Sequence, residues 1–189
     1  MLCALLLPVG TARPASGKDR KPLTAIFLIA DEVSPDSNFA DSIVLVMNNL
    51  GDGPIGIIVN KPTEITVSQL FPNLKPLAQM HDKVYFGGPV EIGSVWFLFR
   101  STTAPKHAIE AFDGVYLSAD PELLQQLLGR NKPMEGLRIF TGHAGWGPGQ
   151  LEAEINVGAW TLKQADADTI FNGKSEHPWS ESPVPKSKT

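Results

Sequence analysis

The sequence predicts a single α+β domain built on a largely antiparallel sheet with a few short helices. Three observations predict it. Short runs rich in β-branched and aromatic residues outnumber the helical patterns. Strands and helices do not alternate as they would in a doubly wound fold, and the early strands follow one another through turn formers rather than crossover helices. A chain of 189 residues with 42% hydrophobic and 19% charged content has room for one sizeable core and no compositional mark of disorder.

In chain order, Thr24 to Ala30 (TAIFLIA) is too short for a typical helix and reads as the first buried strand. Ser42 to Met47 and Ile55 to Asn60 flank Asn49 to Pro54 (NLGDGP), which predicts an antiparallel hairpin with Gly51 and Gly53 at positive φ. Further strands are expected at Lys83 to Phe86, Ser94 to Arg100, Gly114 to Leu117, Leu137 to Thr141 and Ala159 to Leu162.

The clearest helix is Ala119 to Gly129, with Asp120 as N-cap, Pro121 at the first helical position and Gly129 placed for a left-handed C-terminal residue. Its Leu123, Leu124, Leu127 and Leu128 form one apolar face, which should pack on the sheet. Shorter helices are expected at Val67 to Phe71 behind a Thr66 cap, at Gln150 to Val157 and at Asp166 to Phe171. The organisation is a tail or processing segment over 1–22, one domain over 23–173 and a flexible tail over 174–189.

Charge divides unevenly along the chain. Residues 1–22 carry +3, 174–189 carry +1, and the body between them carries −8. An acidic body matches a phosphate backbone poorly, so direct nucleic-acid binding is not expected. The single cysteine, Cys3, excludes an intramolecular disulfide and a Cys-rich zinc site. The longest apolar stretches fall short of the ~20 residues of a membrane-spanning helix. MLCALLLPVGTARPASG resembles the end of a signal peptide, with small residues after an apolar run, but it lacks a basic n-region. A cleaved segment and a plain apolar tail both remain open.

The phosphate loop, the HExxH zinc pair, the GxSxG elbow and the dinucleotide fingerprint are absent. Neither a catalytic set, a metal site nor a cofactor is expected. Three Gly-rich segments carry the candidate binding residues. GIIVNKP brings Asn60 and Lys61 to the rim of the sheet, where Lys61 could hold an anion. Gly87, Gly88 and Pro89 follow a strand and permit a tight turn or a close backbone approach. The third is TGHAGWGPGQLEAEINVGAW, read as a loop over Gly142 to Gly149 that holds His143 and Trp146 and opens a helix at Gln150.

Within that third segment, Glu152 and Glu154 already complement the helix dipole, which disfavours a bound phosphate. Two residues apart on a helix, they point about 200° apart and cannot act as an acid–base pair. His143 is the one proton-transfer candidate, and a hydrogen-bonded structural role is the simpler reading. Trp146 and Trp160 read as core anchors rather than a ligand stack. Four glycines in eight residues require positive φ somewhere in the loop, and Gly145 or Gly147 is expected to provide it.

These segments carry a family resemblance. FLIADEVSPDSNFADSIVLVMN, GPIGIIVNKP, VYFGGPV and FTGHAGWGPGQLEAEINVGAW stand in the order and spacing of the bacterial YqgE/AlgH family. The resemblance implies a single α+β domain whose strongly bent sheet forms a pseudo-barrel, and a cytoplasmic location. It implies no catalytic residues, and the family's label of transcriptional regulator rests on a genetic association rather than a DNA-binding motif. The family's usual MPxLxDPxF-like opening is replaced here by DEVSPDSNF, Asp31 to Phe39. The expected function is a non-enzymatic binding or regulatory protein engaging a protein or small ligand around Gly87 to Pro89 and Gly142 to Gly149. The alternative is an enzyme with His143 as general acid or base. The sequence leaves the oligomeric state open.

Overall fold

The structure, a computed structural model, describes residues 25–30, 39–47 and 53–172. Ten strands form a curled, mainly antiparallel sheet: β1 (Ile26–Ala30), β2 (Ile43–Met47), β3 (Ile55–Ile58), β4 (Pro62–Thr66), β5 (Lys83–Phe86), β6 (Val90–Arg100), β7 (Ile109–Phe112), β8 (Val115–Ser118), β9 (Leu137–Gly145) and β10 (Trp160–Gln164). Helices α1 (Val67–Leu70), α2 (Pro121–Leu128) and α3 (Gln150–Asn156) lie between them, and α4 (Ala167–Phe171) follows β10. The main strand order is β10-β1-β2-β3-β9-β6-β8-β7, with β5 joining β4 to β9. Among the described residues the one parallel pair is β5 with β9.

β1, β2 and β3 read as unbroken apolar runs because both faces of the sheet are covered there. Alternate residues of β1 and β2 enter different clusters. Phe27, Ile29, Leu45 and Met47 join the largest one with Leu98, Leu117 and Phe140, whereas Leu28, Val44 and Val46 join Trp146, Leu151 and Trp160 under α3. A third cluster puts Phe97, Phe99 and Ile139 against Leu124, Leu127 and Leu128 of α2. The leucine face of α2 thus packs on the sheet, as its spacing predicts. The hairpin of β2 and β3 is also present, with Leu45 opposite Ile57.

Two strands were not expected. β4 (PTEIT) starts on a proline and is mostly exposed, so it lacks both apolar alternation and bulk. β7 pairs with β8 around a two-residue turn, Asp113–Gly114, with both φ values positive. An Asp-Gly pair between apolar residues is a strong hairpin signal, and it corrects the placement of Gly114 inside a strand.

Three glycine expectations are also corrected. Gly129 takes φ −80° and ψ −3° rather than a left-handed conformation. Instead Arg130 turns back, its Nε donating to the Leu127 carbonyl at 3.0 Å, so the helix end is closed without an αL residue. Gly53 is not left-handed either; any Cβ there would strike the Trp146 carbonyl oxygen. Gly51 and the expectations for 1–22 and 174–189 fall outside the described residues. Finally, Gly145 and Gly147 do not carry the positive φ of their segment; Gly142 (69°) and Gly149 (74°) do.

Candidate functional site

The three Gly-rich segments meet, and they meet through their backbones. The Ile58 N–H donates to the Gly87 carbonyl, the Phe86 N–H to the Lys61 carbonyl and the Gly87 N–H to the Thr141 carbonyl, each at 2.8 Å. The junction exists because β9 changes partners. One stretch, Phe140 and Thr141, pairs with β5, and the next, Ala144 and Gly145, pairs with β3. Gly142 lies at the change, and its positive φ bends the strand there.

Crowding at this junction explains the glycines. A Cβ on Gly87 would meet the Gly142 carbonyl oxygen, one on Gly88 the His143 backbone, and one on Gly142 the Gly88 carbonyl oxygen. The close approach expected of Gly87 and Gly88 is therefore made by another part of the same chain. β9 does not end near Thr141 but continues through Gly145, so His143 sits on a strand opposite Val90 rather than in a loop. Apolar periodicity could not show this, because Gly142 interrupts the pattern.

On the other edge of β9 the register with β6 jumps. Val90 faces His143 and Val95 faces Thr141, so four residues of β6 stand opposite Gly142 alone. The surplus forms an arm-like bulge, 91–94, with the backbone of Ile92 lying over Gly142. Glu91 has φ 48°, the Ser94 hydroxyl donates to the Glu91 carbonyl at 2.8 Å, and the Trp96 indole N–H donates to the Ser94 hydroxyl at 3.0 Å. Val90 and Ile92 are 39% and 59% exposed. Pro89 is exposed beside them.

His143 is half-buried, with its ring tilted against that of Trp96 at a centroid distance of 5.5 Å. Its Nδ1 is buried without a hydrogen-bond partner among the described residues. Asn60 clamps the strand entry before β2: its Oδ1 accepts the Ile43 N–H and its Nδ2 donates to the Asp41 carbonyl, both at 2.8 Å. Lys61 is half-buried next to it.

The second half of the glycine-rich segment closes around Glu154. Its Oε2 accepts the indole N–H of Trp146 at 2.9 Å and that of Trp160 at 2.8 Å. Its Oε1 accepts from the Gln150 amide at 2.9 Å, and the Gln150 Oε1 accepts the Gly147 N–H at 3.1 Å. The two indoles meet edge to face at 6.2 Å, and Phe39 packs on both. Trp146 and Trp160 are 5% exposed, core anchors as expected. Glu154 was not anticipated as their hub. Its partners lie eight residues before and six after it, a spacing without a local signature.

Among the described residues no group of three or more His, Cys, Asp or Glu side chains could hold a metal ion, and no helix is long and apolar enough to cross a membrane. The DUF179 family model, described as AlgH-like, matches residues 27–183. A UPF0301 protein of Ruegeria pomeroyi is 33% identical over 162 residues, covering 83% of this chain and 88% of its own. One from Streptomyces avermitilis is 34% identical over 168 residues, covering 84% of each. The solution structure of the AlgH protein from Pseudomonas aeruginosa, a UPF0301 member, superposes with a TM-score of 0.66 at 27% identity, covering 85% of each chain. A crystal structure of a Corynebacterium diphtheriae protein shares the fold, with a TM-score of 0.62 at 24% identity over 80% of each chain. From the sequence segments, the bent sheet and these matches together, the chain belongs to the AlgH-like family.

Proposed function

We propose that this chain is a non-enzymatic binding protein that engages a protein partner through the arm at 91–94 and the surface beside it. The observation that supports this most is the outward placement of Val90 and Ile92 next to exposed Pro89. Neighbouring large apolar residues left in water at a bulge are characteristic of interaction surfaces. On this reading the glycines beneath are the footing on which the arm rests, and His143 and Trp96 border the contact. Cytoplasmic residence, inferred from the family, belongs to the proposal, and cell fractionation tests it. The decisive experiment compares the intact chain with Ile92→Asp in crosslinking and pull-down from cell extract. A partner crosslinked at 89–94 and lost with Ile92→Asp supports the reading. Identical captures from both, or none, overturn it.

The enzymatic alternative, with His143 as general acid or base, draws support from the partnerless buried Nδ1. The ring's aromatic neighbour, Trp96, supplies no charge to orient a proton-transferring imidazole. Turnover of any substrate abolished by His143→Gln, with the fold intact, would favour this reading instead.

A further inference from the structure

We infer that the cleft between α2 and the turn after α1 is a binding site for a neutral, mainly apolar small molecule. Its lining shares no residue with the arm, and it does not depend on the proposed function. Its volume is about 380 Å³, within the size range of small-molecule pockets. Val95 of β6, Leu124 and Leu128 of α2, and Phe71 and Leu74 of the turn line it. Among the described residues Gln125 is the one polar side chain on the lining, and none of them there is charged.

The walls are held from outside the cleft. Leu124 and Leu128 are 4% and 2% exposed and belong to the cluster under α2. The start of α2 is fixed by Asp120, whose Oδ1 accepts the Leu123 N–H at 2.7 Å, and by Ser118, whose Oγ accepts the Asp120 N–H at 3.0 Å. On the facing side the Phe71 N–H donates to the Val67 carbonyl and the Leu74 N–H to the Phe71 carbonyl. These contacts fix the backbone on both sides of the cleft.

The lining chooses the ligand class. A charged ligand would lose its hydration with no counter-charge to replace it, and a polyol would leave most of its hydroxyls unpaired. An apolar body meets no such penalty, and the Gln125 amide offers a donor and an acceptor to a single carbonyl, hydroxyl or amine.

Fluorescence titration of the full chain with N-phenyl-1-naphthylamine, a neutral aromatic probe with one N–H, tests this. Saturable one-to-one binding is expected. Ala119→Trp, which fills the cleft from an exposed lining position, should weaken it at least tenfold with an unchanged melting temperature. Gln125→Trp, also at an exposed position, serves the same purpose if the first variant does not fold. An anionic naphthalene sulfonate should bind at least tenfold more weakly than the neutral probe. Absence of saturable binding, indifference to the filling variants, equal binding of the anion, or displacement of the probe by self-association of the chain would each overturn the inference.

Discussion

The α-carbon of Gly142 sits so close to the carbonyl oxygen of Gly88 that any Cβ on Gly142 would collide with it. Backbone crowding and a φ of 69° act together there. Gly142→Ala should therefore destabilise the domain by about 2 kcal/mol or more. Gly145→Ala and Gly147→Ala, with ordinary space and no left-handed φ, should stay within about 0.5 kcal/mol of the parent. Urea unfolding of the three variants checks this. Equal losses at all three would show that the β5–β9 crossing is not where the constraint lies.

Removing the carboxylate of Glu154 leaves two indole N–H groups without their acceptor. Glu154→Ala should cost about 2–6 kcal/mol, given about 1–3 kcal/mol for each of the two donors left unpaired. Exposed Glu152, two residues before it in α3, should tolerate Ala within about 0.5 kcal/mol. Thermal melts measure the difference, and tryptophan emission should change in the first variant alone.

Asn60 uses its amide oxygen and its amide nitrogen at once, on either side of Ser42. Asn60→Asp keeps an acceptor for Ile43 but loses the donor to Asp41, so it should lie between the parent and Asn60→Ala. The alanine variant should lose about 1–2 kcal/mol. A ranking with Asp below Ala in chemical denaturation would count against the clamp.

At the end of α2, Gly129 has a right-handed conformation, and a Cβ there meets its nearest atoms, the Gln125 and Gln126 carbonyl oxygens, at 3.5 Å. Gly129→Ala should accordingly raise stability by about 0.4–1 kcal/mol by restricting the unfolded chain. A left-handed Gly129 would give the opposite sign, so the direction of the melting-temperature shift decides.

What the sequence determined by itself is what local chemistry controls. Asp120, Pro121 and the four leucines specify α2, Thr66 specifies the start of α1, and the apolar runs within 24–30, 42–47 and 55–60 specify buried strands. The glycine-rich segments point to the family because their order and spacing are read directly along the chain. Which conformation each glycine takes was decided by tertiary structure, because it depends on what crosses it: Gly142 meets Gly88, Gly53 meets Trp146, and Gly145 meets only the tip of the Val90 side chain at ordinary contact distance. The continuation of β9 past Thr141, the arm-like bulge opposite Gly142 and the joining of Trp146 and Trp160 by Glu154 have the same origin. Each arises where segments distant in sequence compete for the same edge or the same hydrogen bond, a competition that exists only once the sheet has curled.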